Sequence, residues 1–207
     1  MLPDQISKER SALRSLLKSR SLQSGRKFKL SSGAETDVYV DAKRTACAAI
    51  AIPLIGRAFL HKIMACDWHP QAVGGRTIGA DPIVMAIARE SLDLGPSPID
   101  AFIVRKEPKG HGMKQTVEGV PEPQGMRVVI VDDVCTGGSS TGDAIEKARD
   151  VGMIVLGAIC LVDREQGATE FLERRYQCKL ESIFKLSEIV GPHDESRPAP
   201  IPVGAYS

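Results

Sequence analysis

No two cysteines in this chain are spaced as CxxC. The five stand far apart at Cys47, Cys66, Cys135, Cys160 and Cys178. That excludes zinc-finger spacing, and an odd number argues against a disulfide framework. Reduced thiols in the cytoplasm are the expectation. Long apolar runs are also missing. The longest are ACAAIAIPLI (46–55), interrupted by Pro53, and GMIVLGAICLV (152–162). Both fall short of the ~20 residues a membrane helix needs. The polar opening MLPDQISKER lacks the apolar core of a signal peptide. Charge of one sign is not in excess: 27 Lys+Arg face 26 Asp+Glu, a net +1. No global field is available to hold a nucleic acid. Neither GxxxxGK[ST] nor GxGxxG occurs, which sets aside the two commonest nucleotide loops. No internal repeat is visible.

What is present fits a soluble globular chain. Its 207 residues, 43% hydrophobic and 26% charged, suit one domain with small appendages. Such a chain buries roughly 70% of its unfolded surface and needs no metal or disulfide to fold.

Residues 5–20 place Ile6, Leu13, Leu16 and Leu17 at helical spacing. A polar break at 21–26 follows, then two short strands within 28–44 around Ser31-Ser32-Gly33, with Val38 and Val40 on one side and Tyr39 on the other. Residues 45–64 read as a buried helix, kinked or restarted at Pro53. Gln71–Val73 read as a short strand ended by Gly74-Gly75. Asp81-Pro82 open a helix through Arg89, and Ala101–Val104 form a strand. A polar loop spans 105–125. RVVIV (127–131) is a continuous apolar strand, as in a parallel sheet covered on both faces. A helix at 141–150, a strand at 153–162, a helix at 168–175 and a strand at 179–184 complete the alternation. The expected fold class is α/β: a doubly wound, mostly parallel sheet flanked by helices, with a small N-terminal hood of short strands and helix. The organisation reads as hood 1–44, core 45–190 and a Pro-rich tail 191–207.

The densest chemical signal is VVIVDDVCTGGSSTG (128–142). A buried strand ends in Asp132 and Asp133, and a turn of Thr136, Gly137, Gly138, Ser139 and Ser140 leads into a helix. Ligands in such sheets bind beyond the carboxyl ends of the strands. Backbone N–H groups, hydroxyls and a helix N-terminus together cradle a phosphate. Two acids would repel that phosphate but suit ribose hydroxyls, or a magnesium ion reached through them. A sugar phosphate satisfies both halves. Taken alone, a Gly/Ser turn is more often a helix cap, and Cys135 is read as a small turn residue without a base beside it. His61 and His69 are read as structural.

This run resembles the 5-phosphoribosyl 1-pyrophosphate (PRPP) signature of type I phosphoribosyltransferases. VRKEPKGHG (104–112) is similar to the catalytic loop of the orotate phosphoribosyltransferase family. FKLSSG…YVD (28–41), the GG…GADP stretch (74–82) and LVDREQGA (161–168) fall in the same order as that family's other motifs. The resemblance covers about residues 25–190. It implies the type I phosphoribosyltransferase fold and transfer of ribose 5-phosphate from PRPP to orotate. Asp132 and Asp133 then hold the ribose hydroxyls. Thr136, Gly137, Gly138, Ser139 and Ser140 hold the 5-phosphate. Arg105, Lys106, Lys109 and His111 close over pyrophosphate, with Lys109, Asp132 and Asp133 catalytic. Thr136 and Arg164 bind orotate.

Magnesium is implied through PRPP near Asp132 and Asp133, with no direct protein ligand. A homodimer is implied too, in which loop 105–118 reaches the partner's site. Neither nucleic acid nor membrane is an expected partner. The chain departs from the family pattern where Ala34 and Glu35 follow Gly33, and where Gly79 stands in place of a frequent lysine. Contacts around 33–40 and 76–80 therefore differ from that pattern. A purine-type phosphoribosyltransferase and a non-catalytic PRPP-sensing regulator of the same fold remain the alternatives. A fused decarboxylase is not expected within these 207 residues.

Overall fold

In the computed structural model, the described residues are 3–24, 27–29, 35–94, 97–107 and 116–191. A six-stranded sheet has the order β10-β9-β8-β5-β6-β7. Its strands are β5 (Ala72–Arg76), β6 (Asp100–Val104), β7 (Val117–Glu118), β8 (Arg127–Cys135), β9 (Ile154–Asp163) and β10 (Leu180–Lys185). Every pairing is parallel except β6 with β7. The chain winds outward from β5 to β6, then returns to the other side of β5 for β8, β9 and β10. The switch between β5 and β8 leaves a crevice at their carboxyl ends.

Alternating apolar residues on these strands feed two cores. Val129 and Val131 join Phe59 of α3 (Ile52–Ala65) and Ile83 of α4 (Asp81–Leu94) on one face. Val128 and Ile130 meet Ile145 of α5 (Ser139–Asp150) and Leu172 of α6 (Ala168–Tyr176) on the other. The uninterrupted apolar run of β8 is thus explained by burial on both sides.

The hood is built on α1 (Pro3–Leu16), whose last turn continues as a π-helical segment through Ser21. Leu13 and Leu17 are fully buried. Two antiparallel ribbons follow. β1 (Leu22–Gln23) pairs with β4 (Tyr39–Val40), and β2 (Phe28–Lys29) pairs with β3 (Glu35–Thr36). Val38 and Val40 are buried while Tyr39 is half-buried, as the alternation requires. The expected turn at Ser31-Ser32-Gly33 and the Pro-rich tail from residue 192 lie outside the described residues.

Several boundaries differ from the sequence reading. The apolar segment at 45–64 is two helices: a single turn, α2 (Lys43–Ala46), and α3, which restarts with Pro53 in its first turn. The helix opened by Asp81 runs on to Leu94. The 105–125 loop contains β7, and a short helix α7 (Leu186–Val190) follows β10. β8 continues four residues past Val131, carrying both acids inside the strand. β5 is not ended by its glycines but runs through them. A side chain on Gly74 would overlap the Phe102 ring, and one on Gly75 would overlap the Val131 carbonyl and Ala80. These glycines permit close approach to neighbouring strands.

Gly75→Ala should therefore cost about 1–3 kcal/mol by overpacking. Urea unfolding would show a lower midpoint at an unchanged slope. An unchanged midpoint would mean that the β5–β8 spacing relaxes freely.

Candidate active site

Asp132 and Asp133 sit at the carboxyl end of β8, at the switch point. Asp132 is 6% exposed. Its Oδ2 accepts the Thr141 hydroxyl at 2.7 Å, and its Oδ1 accepts the Asp133 backbone N–H at 2.9 Å. Burial, reinforced by the neighbouring Asp133 charge, pushes its pKa up to about 7. Asp133 packs against Gly79 and keeps 14% of its side chain exposed. Its Oδ1 accepts the Val134 N–H at 2.8 Å, and its Oδ2 lies 3.6 Å from the Lys43 ammonium.

The turn beyond β8 encloses a cavity of about 240 Å³, lined by Thr136, Gly137, Ser139 and Ser140 with Asp132 and Phe171. Gly138 takes a left-handed conformation, φ +83°, that L side chains resist. This conformation opens α5 so that its first N–H groups border the cavity, where an anion is favoured. Cys135, expected in the turn, is instead the last residue of β8. It is fully buried, with its sulfur 3.3 Å from the Thr141 hydroxyl.

Arg76, at the end of β5, donates to Ser140 Oγ at 3.3 Å and lies 3.5 Å from Asp143. Asp143 pairs with Lys147 at 2.9 Å, and Lys147 also donates to the carbonyls of Arg105 and Lys106. Thr141, Arg76, Lys147 and Phe171 were all missed by sequence reasoning. Arg76 alone left a readable signal, a lone cation directly after a Gly-Gly strand.

Arg164 lies under the hood and is 4% exposed. Its Nη2 donates to the Val38 carbonyl at 3.0 Å and to Thr36 Oγ1 at 3.5 Å. Its buried Nε has no partner. Burial lowers its pKa, opposed only by Tyr39, and no described carboxylate balances its charge. An arginine stays protonated in proteins, so this is a buried cation with no counter-charge among the described residues. Phe28 stacks on Tyr39 at 5.2 Å above this region.

Of the remaining expected residues, Arg105 pairs with Glu118 at 2.9 Å and Lys106 is exposed. Lys109 and His111 lie outside the described residues, as do Gly33 and Ala34. His61 is half-buried in α3, and His69 faces Asp67 at the surface. Among the described residues, no three His, Cys, Asp or Glu side chains cluster to hold a metal ion. No described helix is long and apolar enough to cross a membrane.

Comparison with known proteins agrees with this geometry. A phosphoribosyl transferase domain family model matches residues 53–196. The chain is 45% identical over 184 residues to a protein named orotate phosphoribosyltransferase from Aquifex aeolicus, covering 88% of this chain and 98% of that one. The crystal structure of orotate phosphoribosyltransferase from Mycobacterium tuberculosis H37Rv in complex with PRPP superposes with a TM-score of 0.72. It is 35% identical, covering 88% of this chain and 99% of that one. Orotate phosphoribosyltransferase from Aeropyrum pernix matches with a TM-score of 0.72 at 36% identity, covering 86% of this chain and 96% of that one.

Asp132 gives a pH test. Folded, it keeps its proton up to about pH 7; unfolded, it releases it near the ordinary 3.8. The unfolded chain therefore gains first as pH rises. Stability falls between about pH 4 and 7, by a few kcal/mol at most, and the loss is complete above 7. Asp132→Asn should flatten this fall and exceed the parent's melting temperature at pH 8. Parallel melting profiles for the two proteins from pH 4.5 to 8 would refute the buried-acid account.

Proposed function

The chain belongs to the orotate phosphoribosyltransferase family, and from that premise we propose how its own residues carry ribose 5-phosphate from PRPP to orotate in pyrimidine biosynthesis. The bond from the anomeric carbon to pyrophosphate breaks. A bond to orotate N1 forms and the N1 proton is released, giving orotidine 5′-monophosphate. The 5-phosphate takes the cavity of Thr136, Gly137, Gly138, Ser139 and Ser140, where backbone N–H groups and hydroxyls converge. Ribose hydroxyls donate to Asp132 and Asp133, which draws Asp132 into its ionised form. With two ends of the sugar fixed, the anomeric carbon has little freedom, and held geometry lowers the barrier.

Arg164 carries the base specificity. Its unpartnered Nε and absent counter-charge are the single observation that most favours orotate, a pyrimidine bearing a carboxylate. A purine base offers no such anion, and a PRPP-sensing regulator would not need one. Thr136 is assigned to the orotate side of the turn. Arg105, Lys106, Lys109 and His111 are assigned to the pyrophosphate, where negative charge builds as the bond breaks.

Magnesium fits as an ion carried in with PRPP. Asp132 and Asp133 are hard oxygen donors at the ribose, and no three-residue cage stands among the described residues. When bound, it neutralises pyrophosphate charge. The cytoplasm is the assigned compartment.

With PRPP and magnesium, the protein should release pyrophosphate with orotate and not with adenine or hypoxanthine. Release with a purine and none with orotate would sink the reading. Arg164→Leu should lower kcat/KM for orotate about 10- to 100-fold while leaving the PRPP KM within about twofold. An unchanged orotate KM would remove Arg164 from the site.

We assign a homodimer in which loop 105–118 serves the partner's site. Lys109→Ala and the double variant Asp132→Asn/Asp133→Asn, each nearly inactive, should regain about a quarter of parental activity when refolded together. Confirmed mixed dimers without such recovery would show that the loop serves its own subunit.

A further inference from the structure

Among the described residues, the cation next to the reactive acids comes from a place no motif indicated. Lys43 opens α2, directly after the hood strand β4. Its Nζ lies 3.1 Å from Asp41 Oδ1 and 3.6 Å from Asp133 Oδ2. We propose that Lys43 is a further substrate-binding residue, a cation that the hood presents to the pyrophosphate end of PRPP beside Asp133. The proposal rests on the PRPP-dependent reading above.

Three observations support this. The first is rigidity of the base from which Lys43 projects. Ala42, Thr45 and Ala46 are buried to 1% or less, and the Thr45 hydroxyl bonds Ser21 Oγ at 2.6 Å and the Leu16 carbonyl at 3.3 Å. The single turn of α2 is therefore pinned, and the lysine stem starts from a fixed point.

The second is the crowding around Asp133. A Cβ on Gly79 would stand 2.5 Å from Asp133 Oδ1. The chain after β5 thus packs directly on this carboxylate. A side chain at position 79 would meet both oxygens of Asp133, at 2.5 and 2.9 Å, so a lysine there would displace the carboxylate, and the cation beside it comes from the hood instead.

The third is charge and access. Asp132, Asp133 and Asp41 make this corner acidic, yet the proposed substrate brings a pyrophosphate to it. Lys43 keeps 45% of its side chain exposed, so its ammonium faces solvent as well as Asp133. Partial burial works to lower its pKa. The close contact with Asp41, with the charges of Asp133 and Asp41, outweighs this and raises it, so Lys43 is cationic at neutral pH. An ammonium has three donors. It can hold an acid and a phosphate oxygen together, and a ribose hydroxyl that takes over Asp133 Oδ2 would free it toward the anion.

The test compares Lys43→Met and Lys43→Arg with the parent, using pyrophosphate and ribose 5-phosphate as separate probes in the presence of magnesium. In Lys43→Met, the PRPP KM and the pyrophosphate dissociation constant should each rise about tenfold. Ribose 5-phosphate affinity, orotate KM and melting temperature should stay close to the parent's. Lys43→Arg should recover most of the pyrophosphate affinity.

Unchanged pyrophosphate affinity in Lys43→Met would overturn the proposal. So would an equal loss for ribose 5-phosphate, because Lys43 would then merely position Asp133. A parent protein inactive with PRPP and orotate would instead overturn the functional reading, whatever the variants do.

Discussion

Asp132 and Asp133 are neighbours at the end of β8, and like charges that close must be separated, neutralised or hydrogen-bonded. The surrounding elements are arranged around that requirement. Thr141, from the first turn of α5, and the Asp133 N–H bond Asp132. The Val134 N–H and Lys43 meet Asp133. Both acids stay inside the strand, so they face the switch point with little freedom. Gly75 and Gly79 carry no side chain because β5 and the segment after it press against β8 and its second acid. The absence of a side chain at Gly79 and the Thr141 hydroxyl in the first turn of α5 thus both bear on this pair of carboxylates.

A second charge is held at the other end of the crevice. Arg164 is as deeply buried as Asp132, yet it bonds Val38 and Thr36 while Asp132 bonds Thr141 and the Asp133 N–H. Pairing the two would stabilise the empty fold and close the site. Keeping them apart leaves one poised for hydroxyl donors and the other for a carboxylate. Stability is given up at the places where a ligand with those groups would restore it.

The sequence revealed what depends on local pattern. RVVIV and the TGGSS turn carry strong composition and stand where expected, although α5 starts two residues earlier, at Ser139. Pattern failed where tertiary contact decides. Gly74-Gly75 reads as a strand end by propensity, yet the Phe102 ring and the Val131 carbonyl make it a strand interior. β7 is two residues inside a polar loop and exists because β6 offers an edge to pair with. Asp132 and Asp133 were legible as chemistry, and Arg164 only through family resemblance. Thr141 lay within the TGGSST run without a distinct role there, and Lys43 gave no signal. A threonine in a helix and a lysine after a strand are common, and their meaning comes from what lies within 4 Å.

The mixed origin of the cations has a structural logic. A side chain at Gly79, in the turn after β5, would collide with Asp133, so the cation beside that acid arrives from another element. Lys43 comes from the hood. Arg76 and Lys147 form a separate chain of contacts through Asp143, running from Ser140 of the phosphate turn to the carbonyls of Arg105 and Lys106. The segment that leads into the basic loop is thereby tied to the helix that starts at the phosphate turn. Since ionic contacts between half-exposed groups are individually weak, this tie depends on several acting together. The sheet supplies the fixed acids, while the cations come from the hood at Lys43, the end of β5 at Arg76 and α5 at Lys147.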